Sequence, residues 1–163
     1  MKMKIDFRPN LHARSGKLFA GRKAHGEAVH AGAFLRKGLV TLDSSLLEDA
    51  PELIRILTHE MFHFVWRRLG NSARLEWEHL LAAERTVFDL GWSAESRRRA
   101  MTRADVKLRT KRWREYCCEA FCDTAAWVFS PRLPHDEVSL PAAARQQRRR
   151  WFVRLLKERK LPL

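Results

Sequence analysis

The sequence predicts an α+β fold in which a small N-terminal antiparallel β region packs on a mainly helical body. Three observations lead to this class. Glycines recur through residues 1–45 at the spacing of turns between short strands. Three later segments carry apolar residues with helical periodicity. Hydrophobic residues make up 45% of the chain, which excludes a disordered protein. Because no repeat or linker interrupts the pattern, residues 1–163 are predicted to form one domain.

The N-terminal region is predicted to end in a β-hairpin. Two apolar runs, residues 33–36 and 39–42, flank Lys37-Gly38. The second strand leads into the first long helix, and an open strand edge there could accept an extended peptide through main-chain hydrogen bonds. Three histidines of this region are interpreted as loop or surface residues without a metal role: His12, His25 and His30.

The first long helix is predicted to begin at Asp49 and to end at Gly70. Asp49 suits the N-cap, Pro51 suits the first turn, and Glu52 follows the cap by three residues. Apolar residues occupy most of the circumference of this helix, so it is predicted to be buried.

The same helix contains the pattern His-Glu-x-x-His. His59 and His63 are four residues apart, so both imidazoles lie on one face and can reach one metal ion. Glu60 lies beside that face, where a carboxylate can take a proton from a metal-bound water without being a ligand. Buried imidazoles need polar partners. A metal ion is one such partner, and hydrogen bonds within the core are the alternative.

Further helices follow along the chain. Residues 73–90 are predicted to form an amphipathic helix that ends at Gly91. A short arginine-rich helix starts at Ser93, and Thr102 caps another turn. Residues 110–129 form a third strong helix, which Ser130-Pro131 closes.

This third helix carries two acidic residues on one face. Glu119 and Asp123 are four residues apart in an otherwise small or apolar stretch. Two buried carboxylates on one face require nearby cations. A metal ion meets this need if Glu119 is its third ligand and Asp123 accepts the far N–H of one metal-bound histidine. Salt bridges to Arg112 or Arg114 are the structural alternative.

Together, the segments 59–63 (HEMFH) and 119–123 (EAFCD) resemble the zinc metallopeptidases of the gluzincin type. The resemblance covers about residues 33–70 and 112–129. It implies a zincin-like fold and hydrolysis of peptide bonds by a zinc-activated water. It also implies roles for five residues: His59, His63 and Glu119 as zinc ligands, Glu60 as general base, and Asp123 as the partner of a ligand.

The chain departs from this family pattern at several positions. Cys118 stands where an Asn often precedes the ligand glutamate. Tyr116 and His135 are the candidates for a transition-state stabiliser, each with a structural role as the alternative. Cys118 and Cys122 could bind zinc together with the histidines, or they are small apolar residues that pack beside Glu119.

The chain is strongly basic, with a net charge of +13. Residues 93–114 hold nine basic and two acidic side chains, and residues 141–163, the helical tail, hold eight and one. Such segments predict contact with nucleic acid or an acidic protein, with a solvated surface as the alternative. The tail also carries an apolar stripe that predicts docking on the core: Trp151, Phe152, Leu155 and Leu156.

The sequence therefore predicts a zinc-dependent peptidase that acts on a peptide or protein substrate. No apolar run reaches the length of a signal peptide or a membrane span. Three cysteines within six residues make a poor disulfide framework, so we expect a cytoplasmic protein without membrane contact. The alternative function is a regulatory nucleic-acid-binding protein whose zinc site is structural or inactive.

Overall fold

The computed structural model describes residues 3–22, 25–130 and 138–158, and in these ranges strands precede helices, which confirms the α+β class. The strands are β1 Lys4–Arg8, β2 His12–Arg14, β3 Lys17–Phe19, β4 Glu27–Ala28, β5 Ala31–Phe34 and β6 Leu39–Asp43. A 3₁₀ helix, Ser44–Glu48, follows β6. The α-helices are α1 Ala50–Arg68, α2 Asn71–Ala83, α3 Trp92–Arg99, α4 Arg103–Leu108, α5 Lys111–Phe129 and α6 Ala142–Glu158.

The strands form two small sheets with the orders β1-β6-β5 and β3-β2-β4. The predicted hairpin is present, since β5 pairs antiparallel with β6 and residues 35–38 connect them. However, β1 runs parallel to β6, so the prediction of a wholly antiparallel region is wrong. The second sheet lies between β1 and β5 in the chain and provides the long crossover that a parallel pair requires. Because β6 is central, β1 and β5 are the edge strands of this sheet. Of these two strands, β5 packs beside α1.

The start of α1 follows the prediction, and its end falls two residues before the predicted Gly70, which lacks the left-handed conformation of a glycine terminator. The Asp49 carboxylate accepts the Glu52 amide at 3.1 Å and caps the helix. The helix then ends at Arg68, and Gly70 adopts an extended conformation as the N-cap of α2. The Arg74 guanidinium donates to the carbonyls of residues 66 and 67. Arg74 therefore satisfies carbonyl groups in the last turn of α1, which in helices that end at a left-handed glycine are bonded by the amides that follow.

Helix α2 ends at Ala83, so the prediction of a continuous helix over residues 73–90 is wrong. Glu84 and Asp89 instead turn inward to the buried Arg148 of α6. Arg148 Nε lies 2.8 Å from Glu84 Oε1, and Arg148 Nη1 lies 2.6 Å from Asp89 Oδ1. Five residues along an α-helix turn a side chain by about 140°, so a continued helix could not direct both carboxylates at one guanidinium.

The remaining helices begin and end close to the predicted positions. Thr102 and Asp105 form a capping box at the start of α4, and Thr110 caps α5. Helix α6 docks on the core through Trp151, Phe152 and Leu155 of its predicted stripe, whereas Leu156 is 37% exposed. Phe152 is fully buried, with its ring centroid 5.0 Å from that of Phe121. In the described part of the chain, no helix is both long and apolar enough to cross a bilayer.

Candidate metal centre

Helices α1 and α5 pack against each other and bring the two sequence motifs together. Glu119 Oε2 lies 3.4 Å from His59 Nε2 and 3.9 Å from His63 Nε2. The two imidazole centroids are 5.0 Å apart. Two ligand atoms on a tetrahedral zinc ion, each at about 2.0 to 2.1 Å, are about 3.4 Å apart. The contact of Glu119 with His59 matches this separation, and its contact with His63 is 0.5 Å longer.

The second ring nitrogen of His59 is held by Asp123. His59 Nδ1 lies 2.7 Å from Asp123 Oδ1. The other carboxylate oxygen of Asp123 accepts the Ala94 amide of α3 at 3.1 Å. Because Asp123 accepts a hydrogen bond from Nδ1, a neutral His59 would carry its lone pair on Nε2, the atom that lies next to Glu119. Of the two histidines that the sequence offered to Asp123, the structure pairs it with His59.

Gly91 makes room for this carboxylate. A Cβ atom at Gly91 would lie 2.5 Å from Asp123 Cγ and 2.6 Å from both of its carboxylate oxygens. Any side chain at this position would therefore displace Asp123 from His59. Sequence reasoning missed this role because it assigned Gly91 to the end of a helix, whereas the residue caps the start of α3. The packing of α3 on α5 creates this requirement, and no local sequence pattern reveals it.

Cys118 holds the second ring nitrogen of His63. Its Sγ lies 3.4 Å from His63 Nδ1. A hydrogen bond with Cys122 lowers the pKa of the Cys118 thiol, burial raises it, and the contact with His63 lowers it again, to about 6. A thiolate here accepts the His63 N–H and leaves Nε2 to face Glu119. Cys118 thus orients a candidate ligand, His63, a role that neither sequence interpretation of the cysteines included.

Cys122 offers a second set of donor atoms. The ligand atoms of His59, His63 and Cys122 all lie within 4.8 Å of one another. Burial raises the pKa of the Cys122 thiol well above its usual range, and the nearby Cys118 and Glu119 raise it further. Without a metal ion, the Cys122 thiol is therefore protonated at neutral pH.

Glu119 is the more readily available of the two possible third ligands. Burial raises the pKa of the Glu119 carboxyl, but a hydrogen bond with His59 and the positive charges of His63 and Arg97 lower it to about 2. Glu119 is therefore ionised at neutral pH, as a metal ligand must be. Arg97 Nη2 lies 3.2 Å from Glu119 Oε1. The arginine that pairs with this carboxylate is therefore Arg97, whereas the sequence suggested Arg112 or Arg114.

The histidines supply the remaining positive charge. Burial lowers the pKa of His59, but Asp123 and Glu119 raise it more, and the result lies well above the usual value. Burial also lowers the pKa of His63, while the Cys118 hydrogen bond and Glu119 raise it, with a net increase. A metal ion would replace the protons that these imidazoles carry in its absence.

Glu60 forms part of the wall of a cavity of about 330 Å³ beside His59. Its carboxylate is buried, which raises the pKa of Glu60, and the charges of the two histidines only partly offset this increase. A raised pKa makes a carboxylate a better proton acceptor near neutral pH. Residues 27–31, α1, the start of α3 and one residue of α5 supply the rest of the lining, which includes His30, Ile56, Trp92 and Asp123.

Of the two candidates for a transition-state stabiliser, the structure describes Tyr116 and places its hydroxyl away from this centre. Tyr116 is fully buried, and its phenol donates to Asp89 Oδ2 at 3.0 Å within the network around Arg148. This arrangement favours the structural alternative for Tyr116. His135 lies outside the described residues. By contrast, His30 lines the cavity, and its carbonyl accepts the Asp43 amide at 2.7 Å.

Comparison of this chain with protein-family models, curated proteins and solved structures finds no match.

Proposed function

We propose that this protein is a zinc-dependent peptidase with a zincin-like arrangement of its active site. The observation that supports this function is the meeting of His59, His63 and Glu119 beside a cavity whose wall contains the buried Glu60. Two imidazoles and a carboxylate form a donor set that suits zinc. A site with three protein ligands leaves a coordination position open, as catalysis requires.

Zinc at this position would polarise the substrate carbonyl and increase the acidity of water. The protein's own residues would do the rest. Asp123 and Cys118 orient the two imidazoles through their Nδ1 atoms. Glu60 takes a proton from the attacking water as the new C–O bond forms, and it delivers that proton to the amine nitrogen as the C–N bond breaks.

The substrate proposed here is an extended peptide added to the outer edge of β5. Sequence analysis placed an open edge on the strand that precedes α1, but that strand is the central β6. The edge strands of this sheet are β1 and β5, and β5 is the one beside α1. Its first residue, Ala31, lines the cavity. Main-chain hydrogen bonds to an edge strand bind peptides with little dependence on sequence. His30, adjacent to this edge, is the group that we propose to stabilise the developing oxyanion.

The experiment that tests this function compares the parent with Glu60→Gln. Both proteins should retain about one zinc ion per chain, because Glu60 is not a ligand. The parent should hydrolyse a quenched fluorescent peptide library, and a chelator should stop it. The variant should lose roughly 100-fold or more of the rate, because it lacks the proton acceptor. Hydrolysis by the variant at the parent's rate would rule out Glu60 as the base.

The second candidate function is regulatory nucleic-acid binding around a structural zinc site. The position of Cys122 favours it, because a fourth protein ligand would close the coordination sphere. The solvent face of α6 also presents Arg149, Arg150 and Lys157. Salt-dependent binding of an oligonucleotide without peptide hydrolysis would support this function. For either function, a cytoplasmic location remains a prediction, and all three cysteines are free.

A further inference from the structure

A wide groove of about 1180 Å³ runs between the end of α2, residues 84–88 and helix α4, apart from the residues of the metal centre. Its apolar lining comes from three helices and one turn. Leu81 belongs to α2, Met101 precedes α4, Val106 lies within α4, and Trp113 belongs to α5. Val87 and Phe88 in the connecting loop are 54% and 44% exposed. An apolar surface of this kind, bordered by charged residues, is typical of an interaction site.

The border of the groove is positively charged. Arg85, Arg103 and Lys107 line it and are exposed. In the part of the chain that the structure describes, no carboxylate pairs with these three side chains. The carboxylates near these basic residues already have partners. Glu84 pairs with Arg98 and Arg148, Glu78 pairs with Arg109, and Asp105 belongs to the capping box of α4. The groove therefore lacks the negative charge that would balance its border.

We propose that this groove binds an acidic, amphipathic peptide segment of a partner protein. Apolar side chains of the segment would contact Met101, Val106 and the exposed Phe88. Its carboxylates would pair with Arg103 and Lys107 on α4. Charge complementarity selects an acidic partner. The apolar lining selects one that also presents aliphatic or aromatic side chains.

The composition of the lining favours a peptide over single-stranded nucleic acid. Proteins that bind single-stranded nucleic acid stack its bases on exposed aromatic side chains. Trp113 is 3% exposed, and its indole N–H donates to Glu78 at 3.1 Å. Phe88 is then the one aromatic side chain of the groove lining with a substantially exposed ring. Aliphatic side chains elsewhere offer contact area to a peptide but no platform for a base.

Fluorescence anisotropy with defined probes tests the proposal on the full-length protein. The probe is a short labelled peptide in which Glu alternates with Leu. Matched probes replace every Glu by Gln, or every Leu by Ser, and labelled oligo-dT represents nucleic acid. We expect the parent to bind the Glu-Leu peptide roughly tenfold or more tightly than either matched peptide, because both charge and apolar contact contribute.

Charge reversal locates the binding surface. The double variant Arg103→Glu/Lys107→Glu should weaken binding of the Glu-Leu peptide by roughly tenfold or more. The matched control, Arg149→Glu/Arg150→Glu on the solvent face of α6, changes the net charge equally and should leave affinity within about twofold. Phe88→Ser, at an exposed position, should weaken binding without loss of fold, which circular dichroism verifies.

Three outcomes would overturn the proposal. Equal loss of affinity in both charge-reversed variants would mean nonspecific electrostatic attraction. Binding of oligo-dT in preference to the peptide, with loss in the α4 variant, would make nucleic acid the occupant. Absence of peptide binding at low salt would remove the docking site. Since these assays measure binding alone, the peptidase function could fail without affecting their result.

Discussion

His59 and Asp123 are joined by a 2.7 Å contact between Nδ1 and Oδ1, and the other Asp123 oxygen accepts the Ala94 amide. One carboxylate thus connects a predicted metal ligand on α1 to the first turn of α3. The fit is tight, because a Cβ atom at Gly91 would lie 2.5 Å from Asp123 Cγ. The orientation of the His59 ring consequently depends on how α3 packs against α5.

Substitutions at Asp123 or Gly91 should weaken zinc binding. Asp123→Asn keeps the shape but weakens the acceptor for His59, and we expect zinc affinity to fall about 10- to 100-fold. Gly91→Ala should have a similar effect, because its methyl group would displace the carboxylate. Competition with a chromophoric chelator measures both. Gly32→Ala is the matched control, since its nearest neighbour, Leu18 Cδ2, would lie 3.5 Å away. Unchanged zinc affinity in both test variants would contradict the proposed role of Asp123.

The identity of the third ligand can be decided by a pair of variants. If Glu119 binds zinc, Glu119→Ala should lose most of the metal from protein purified without added zinc. Cys122→Ser should then retain about one zinc ion per chain. Elemental analysis by mass spectrometry measures both. The reverse result, with zinc lost only from Cys122→Ser, would favour the structural site of the second candidate function.

Zinc binding should strengthen as the pH rises through the neutral range. The pKa of His59 is raised in the folded state. Protonation of His59 therefore stabilises the metal-free protein fully below about pH 6.5, and this contribution is lost as the pH rises through the folded-state pKa. The metal must displace this proton, so zinc affinity increases as the proton leaves. The zinc-induced rise in Tm should be larger at about pH 8 than at about pH 6. An equal rise at both pH values would argue against histidine ligands.

Acid should destabilise the metal-free protein by protonating Glu119. The pKa of Glu119 is lowered from 4.5 to about 2, so its ionised form stabilises the fold above the unfolded-state value, and this contribution is lost as pH falls from 4.5 toward 2. Glu119→Gln should reduce the slope of stability against pH in this interval. Urea unfolding of both metal-free proteins measures the slope, and identical slopes would contradict the assignment.

Arg148 should be essential for folding. It is fully buried and pairs with Glu84 and Asp89, so Arg148→Met would leave two carboxylates without their main cation. We expect a loss of about 3 to 5 kcal/mol in the free energy of unfolding. The control, Arg154→Met, breaks a half-exposed pair with Glu76 and should cost less than about 1 kcal/mol. Denaturant titration measures both, and a cost for Arg148→Met as small as the control's would show that the buried network contributes little.

His30 should affect turnover more than substrate binding. If it stabilises the oxyanion, His30→Ala should lower kcat by about 100-fold with little change in KM, since the contact forms mainly in the transition state. His25→Ala, at another exposed histidine outside the cavity lining, is the matched control and should leave both constants unchanged. A rise in KM with unchanged kcat would instead make His30 a substrate-binding residue.

Local signals in the sequence were sufficient for much of the fold. The caps at Asp49 and Thr102 form as predicted, because a capping side chain and the amide that it accepts are separated by three residues at most. Helical periodicity alone places His59 and His63 on one face, one turn apart. Likewise, the apolar stripe of α6 was sufficient to predict which of its sides is buried.

The sequence failed where a residue's conformation depends on a distant partner. Residues 84–90 have helical periodicity, yet Arg148, which is 64 positions from Glu84, draws that stretch out of the helix. Neither the space that Asp123 needs beside Gly91 nor the pairing of Arg97 with Glu119 is encoded by spacing along the chain.

The sequence by itself therefore determined the helices and the residue types that a metal centre would use. Only the tertiary structure decided which imidazole Asp123 holds, that Cys118 holds the other, and which arginine approaches Glu119. The physical reason is that helix formation depends on neighbours within one or two turns. The site, by contrast, depends on how α1, α3 and α5 pack around one buried cluster of charge.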